Sequence, residues 1–147
     1  MTTWWLEHND EWDFDKIIEY VSKFDTVYVG CDSKYYSSST KFAIAIAVYC
    51  NPCVTYWYTK YRDPKMTQEI PHRLWTEVEK SIEVAQLIRE RLPDINIEVH
   101  CDINSDEKFP SSRLNQSARG YVDGCGFVYR CKPNAWAATG CADTHTR

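Results

Sequence analysis

A chain of 147 residues and 17.2 kDa, 44% hydrophobic and 26% charged with a formal net charge of -4, has the length of one domain and too little charge for disorder. No apolar run reaches the roughly 20 residues of a membrane helix, and Met1-Thr-Thr-Trp-Trp-Leu-Glu7 lacks the basic start and apolar stretch of a signal peptide. The expectation is a single soluble, cytoplasmic domain over residues 1–147.

Seven cysteines, an odd number set mostly in apolar stretches, point to reduced thiols. Cys50-Asn-Pro-Cys53 has no second CxxC or HxxxH with which to complete a zinc site. Six Trp and ten Tyr suit either base stacking or a core of large side chains. Charge is uneven: residues 1–25 hold seven acids and two lysines, whereas residues 108–147 hold six Lys/Arg and two Asp. A basic C-terminal third is compatible with a phosphate-bearing partner, or with an ordinary solvated surface.

In chain order, Phe14, Ile17, Ile18, Val21 and Phe24 recur at helical spacing behind Asp13, which predicts a short amphipathic helix in an N-terminal extension over residues 1–25. Thr26-Val-Tyr-Val-Gly-Cys-Asp32 reads as a strand delivering Asp32 at its end, and Ser33 to Thr40 as a turn. Phe42 to Val48 is apolar on both parities, the pattern of a central strand buried on both faces. Val54 to Tyr61 follows the Asn51-Pro52 turn as a third strand, so the three form an antiparallel meander. After a polar break from Arg62 to Pro71, residues 72–92 carry Leu74, Val78, Ile82, Ala85 and Ile88 as a helical core stripe ended by Pro93.

Ile95 to Asp102 alternates, with Ile95, Ile97, Val99 and Cys101 on one face and His100 and Asp102 on the other. A helix over residues 112–123, capped by Ser111 or Ser112, leads through Gly124-Cys-Gly126 to a short strand over residues 127–131. Pro133 then opens a last helix with small residues at 135, 138, 139 and 142, carrying Asp143. The order β-β-β-α-β-α-β-α requires parallel crossovers and predicts an α/β fold with a mixed five-stranded sheet, order 3-2-1-4-5, flanked by helices in the ribonuclease-H-like arrangement.

That topology makes the ends of the first and fourth strands neighbours, so Asp32 and Asp102 project into one crevice. Two such carboxylates repel unless a cation joins them. On the wheel of the 72–92 helix, Glu77 falls with Leu74, Val78 and Ser81 toward the sheet, whereas Glu79 falls with Glu83 and Gln86 toward solvent. Asp143, on the small-residue face of the last helix, can reach the same rim. Asp32, Glu77, Asp102 and Asp143 together form a hard-oxygen set suited to Mg²⁺ or Mn²⁺, and a pair of such ions supports phosphodiester hydrolysis. Taken singly, each acid is more often a turn cap, a loop-opening residue or a surface acid; jointly, two at strand ends in the one topology that brings them together favour the metal site. Removing the four leaves 17 acids against 17 Lys+Arg, so the excess negative charge resides in the proposed site.

Gly30-Cys-Asp-Ser-Lys34, His100-Cys-Asp-Ile-Asn104, Ser111-Ser112, Gly120-Tyr-Val-Asp-Gly-Cys-Gly126, Lys132-Pro-Asn-Ala-Trp-Ala-Ala138 and Ala142-Asp143 occur in an order that resembles the YkuK-type proteins, a ribonuclease-H-like family of bacteria and their phages. The resemblance runs from Thr26 to Arg147. It implies a ribonuclease-H-like fold with a presumed nuclease site whose acidic positions fall on Asp32, Glu77, Asp102 and Asp143. Trp4-Trp5 lies outside it.

Ser33, Lys34, His100, Asn104 and Lys132 are candidate substrate contacts. Lys34 and Lys132 would hold phosphates and His100 would move a proton, each with an ordinary surface or hydrogen-bonding role as the alternative. The expected function is therefore a divalent-metal-dependent nuclease acting on RNA, DNA or a hybrid. Its rival is a catalytically inactive scaffold of the same fold that binds nucleic acid or a protein partner.

Overall fold

The computed structural model describes residues 2–37, 39–64 and 70–146, with backbone alone at Ile70, Pro110 and Ser111. Ser38 of the expected turn, residues 65–69 of the polar break and the Ser111 side chain as a cap lie outside the described residues.

The chain begins with two short strands, β1 (Trp4–Leu6) and β2 (Glu11–Trp12), before helix α1 (Phe14–Val21). Three long strands follow, β3 (Thr26–Tyr36), β4 (Ser39–Cys50) and β5 (Cys53–Asp63), then the long helix α2 (Ile70–Arg91). Strand β6 (Asn96–Asn104), a 3-10 turn at Pro110–Leu114, helix α3 (Asn115–Gly124) and strand β7 (Val128–Lys132) complete the main fold. All strands join one sheet in the order β2-β1-β5-β4-β3-β6-β7. Its β3–β4, β4–β5 and β1–β5 pairs are antiparallel, whereas β3–β6 and β6–β7 are parallel.

The sheet thus has seven strands rather than the expected five. The two extra come from the N-terminal extension, expected to be helical only. Trp5 and Leu6 pair with Tyr58 and Trp57 on the outer edge of β5, which covers an otherwise open edge. Trp4 is buried against Phe14, Trp5 lies against Tyr58 at 5.6 Å between ring centroids, and Trp12 against Trp57 at 5.4 Å. Aromatic packing of this kind, together with ladder bonds, stabilises strands too short to hold alone.

β3 also runs four residues beyond Asp32. Polar Ser33 to Tyr36, expected to turn, instead pairs with Ser39 to Phe42, and Ser37, just beyond the paired residues, has φ +52°. Its pairing with β6 is shorter, from Thr26↔Asn96 to Gly30↔His100. Beyond Gly30 and His100 the two strands no longer pair, and Asp32 and Asp102 stand on either side of that opening.

Each face of the sheet has its own cover. Val27, Val29 and Cys31 of β3, Ile44 and Ile46 of β4, and Ile97, Val99 and Cys101 of β6 pack with Ile17 of α1, Val78, Ile82, Ala85 and Ile88 of α2, and Val122 of α3. On the other face Ala43, Ala45, Ala47, Tyr56 and Tyr58 meet Cys141 and Ala142. Burial of β4 on both faces is what its apolar parity pattern dictates.

The last segment departs from the expected α-helix: Ala137–Ala142 is wound as a π-helix and Asp143–His145 as a 3-10 turn. It lies directly on the sheet. A Cβ on Gly30 would stand 2.4 Å from the Ala138 nitrogen and 2.5 Å from the Ala137 carbonyl carbon, so only glycine admits that approach. Ala135, Ala137, Ala138 and Ala142 are all buried there. No helix among the described residues is long and apolar enough to cross a membrane.

Candidate active site

Four elements meet at the opening between β3 and β6. Asp32 comes from β3, on the face covered by the C-terminal segment, and is 7% exposed. Asp102 comes from β6 on the same face, two residues beyond the last paired position. Glu77 comes from α2 on the opposite face and is 6% exposed, while Glu79 points to solvent, as the helical wheel predicts. Asp143 follows the π-helix, whose wider winding brings it down to β3.

Asp32 and Glu77 feel their acidic neighbours. Burial first, then a hydrogen bond to the Asp143 side chain, then the charges of Asp102 and Asp143 push Asp32 from 3.8 up to about 7, against a backbone hydrogen bond at Ser33 that favours the charged form. Protonated, Asp32 donates to Asp143. Thr146 closes the same corner, its hydroxyl 3.4 Å from Asp32 Oδ2. Glu77 is likewise raised, by burial and by the charges of Asp32 and Asp102, with the Ser33 hydroxyl and the Arg73 guanidinium opposing. Ser33 donates its hydroxyl hydrogen bond to Glu77 Oε2, while Glu77 Oε1 is buried with no hydrogen-bond partner among the described residues. Lys132 Nζ lies 2.6 Å from Asp102 Oδ1.

Buried like charges raised toward neutrality, and an unpartnered carboxylate oxygen among them, form the environment that a hard divalent cation relieves. The donor set therefore fits Mg²⁺ or Mn²⁺ chemically. In the arrangement described, however, the Asp32–Asp143 hydrogen bond and the Lys132–Asp102 ion pair engage some of these oxygens. No group of three His, Cys, Asp or Glu among the described residues is disposed around one ion position.

The remaining expected contacts divide. Lys34 is exposed on the Asp32 face, two residues along β3. Ser33 points to the opposite face and holds Glu77. Lys132 pairs with Asp102 instead of standing open to a phosphate. Asn104 closes β6, where the register with β7 shifts between His100 and Asn104.

His100 is 1% exposed, its Nδ1 accepting a hydrogen bond from the Ala137 N–H at 3.1 Å and its Nε2 lying 3.1 Å from Glu98 Oε1. That pattern fixes the neutral tautomer with the proton on Nε2. Burial lowers the ring's affinity for a second proton, against the pull of Glu98. Packed between Tyr28 and Trp136, His100 clamps the C-terminal segment and presents no open nitrogen for proton transfer.

The basic C-terminal third is likewise dispersed. Lys108 pairs with Asp106, Arg130 with Glu98 and Lys132 with Asp102, and Arg119 lies over the Tyr129 ring. Sequence reasoning missed the positioning role of Ser33, for which strand parity was the available signal: it puts residue 33 with Cys31, on the α2 side.

A mixed sheet with helices on one face, and acidic residues where its central strands part, suits the ribonuclease-H-like class. The ribonuclease-H-like family model matches residues 14–147, and the chain belongs to that family. No match was found among curated proteins or among solved structures.

Proposed function

We propose that the protein is a YkuK-type, divalent-metal-dependent nuclease in which Asp32, Glu77, Asp102 and Asp143 hold Mg²⁺ or Mn²⁺. The observation that carries this reading is the gathering of these acids where β3 and β6 part, with Glu77 Oε1 buried and unpartnered among the described residues and Asp32 and Glu77 both raised by burial and by their acidic neighbours, Asp32 to about 7. Carboxylates pushed toward neutrality by burial and by one another in a cleft are candidates for a functional site. When bound, divalent ions lower the pKa of water and stabilise the leaving oxygen in phosphodiester hydrolysis. The chain's own residues supply the rest: Ser33 fixes the Glu77 rotamer, and Lys34 offers a cation to a substrate phosphate.

A second reading, an inactive scaffold that binds nucleic acid or a protein, is favoured by one contact. Lys132 at 2.6 Å already neutralises Asp102. The test is cleavage of labelled single-stranded, duplex, hybrid and junction substrates with Mg²⁺ or Mn²⁺, comparing wild type, Asp102→Asn and a chelator control. Cleavage lost in the variant and with chelator supports the enzyme. A folded wild-type protein that cuts none of the substrates supports the scaffold.

A further inference from the structure

The hairpin register places a second set of charges on the Asp32 face. Lys34 of β3 stands directly opposite Lys41 of β4, and Lys41 directly opposite Arg62 of β5. Lys60 lies one pleat back on β5, opposite Ala43. Parity assigns all four to one face: Lys34 follows Gly30 and Asp32, Lys41 precedes Ala43 and Ala45, and Lys60 and Arg62 follow Tyr56 and Tyr58. Lys34, Lys60 and Arg62 are exposed, and none of the three pairs with a carboxylate among the described residues.

Like charges directly across a ladder destabilise a sheet. Burial, and then the charges of Lys60 and Arg62, lower the pKa of Lys41. Strands about 4.8 Å apart spread the row over roughly 10 Å, with Lys60 about 7 Å behind it. The α-helical core occupies the other face of the sheet, and on this face Arg62 Nη1 donates to Ser39 Oγ at 3.4 Å. The row begins two residues from Asp32 and borders the C-terminal turn, where His145 stacks on Tyr58.

We propose that Lys34, Lys41, Lys60 and Arg62 form a phosphate track that binds a nucleic-acid backbone and leads it to the opening between Asp32 and Asp102. The proposal rests on the nucleic-acid part of the reading above and deepens it: it identifies the surface that carries the strand, which is not the basic C-terminal third. Contact is to phosphates, so the track grips without reading sequence. A polyanion held there releases counterions in proportion to the phosphates neutralised.

The test is binding, read by fluorescence anisotropy in the presence of chelator so that no cleavage intervenes. The probes are a labelled single-stranded oligonucleotide and its duplex, each titrated across a range of salt concentrations. The proteins are wild type, Lys34→Gln/Lys60→Gln/Arg62→Gln, and Lys16→Gln on the exposed side of α1 as control. Removing the three charges is expected to flatten the slope of log K against log salt by roughly 2 to 3, with Lys16→Gln unchanged. The melting temperature should hold or rise, because repulsion is relieved, which excludes unfolding as the cause. An unchanged slope in the triple variant, or an equal loss in Lys16→Gln, overturns the track. Cleavage plays no part in this readout: a folded protein that cuts nothing yet loses its salt slope in the triple variant retains the track without the nuclease, and the converse result retains the nuclease without the track.

Discussion

Lys132 and Asp102 form the closest charge pair of the acidic opening, Nζ to Oδ1 at 2.6 Å, and they join β7 to β6 just where the β6–β7 register shifts. The lysine is the site's internal counterion and stands where a bound cation would compete with it. Lys132→Ala removes that competitor and makes the site more negative. The expected result is Mn²⁺ affinity raised a few-fold, in keeping with the modest strength of a partly exposed pair. Mn²⁺ titration by calorimetry measures this, and unchanged or weakened affinity would count against a shared site for lysine and metal.

Metal-free stability should depend on pH in the direction opposite to that of an ordinary salt-bridged acid. Asp32 holds its proton up to about 7 when folded but releases it near 3.8 when unfolded, so the folded state binds more protons across that window. Stability then falls as pH rises from about 4 to 7 and levels off above, by roughly 4 kcal/mol for this displacement. Glu77 is raised in the same sense and adds to the slope. Asp32→Asn should flatten the curve and raise the melting temperature at pH 8. A metal-free protein that grows more stable from pH 5 to 8 would contradict this electrostatic picture.

Gly30→Ala tests the seating of the C-terminal segment. The new methyl would meet backbone atoms of Ala137 and Ala138 that cannot rotate away. Overpacking of this kind costs about 1–3 kcal/mol, and the segment that carries Asp143 would lift. Chemical denaturation should report the loss, with divalent-metal binding weakened in parallel. A fully stable Gly30→Ala protein would mean that the segment does not lie as described.

Ser33→Ala separates positioning from phosphate contact. The hydroxyl faces Glu77 and favours its charged form, so its removal should weaken Mn²⁺ binding and leave the salt slope of oligonucleotide binding intact. Lys34→Gln, one residue on and on the opposite face, should do the reverse. Identical phenotypes for the two variants would show that strand parity does not divide their roles.

Much of this architecture is legible in the sequence where a periodicity reports burial. Phe42 to Val48 announces a two-faced strand, and the 72–92 stripe separates buried Glu77 from exposed Glu79. What escapes is set by tertiary pairing. Trp4–Leu6 and Glu11–Trp12 are too short to carry a period, and only the free edge of β5 makes strands of them. Ser33 to Tyr36 has turn composition but is held extended by four opposed pairs with β4. His100 sits on the expected face, yet nothing local announces that Ala137 and Trp136 will cover it. The Lys34, Lys41 and Arg62 row is invisible until the register is known, because those residues lie up to 28 positions apart in the chain.

The most direct test of the central claim is Mn²⁺ binding measured calorimetrically on wild type and on Asp32→Asn/Asp102→Asn, with folding of both checked by melting. The account predicts saturable binding by the wild-type protein that is abolished in the double variant, while the variant itself melts at the same or a higher temperature above pH 7. Wild-type protein that is folded and binds no Mn²⁺, or a double variant that binds it as tightly as wild type, would contradict a metal site built on these carboxylates.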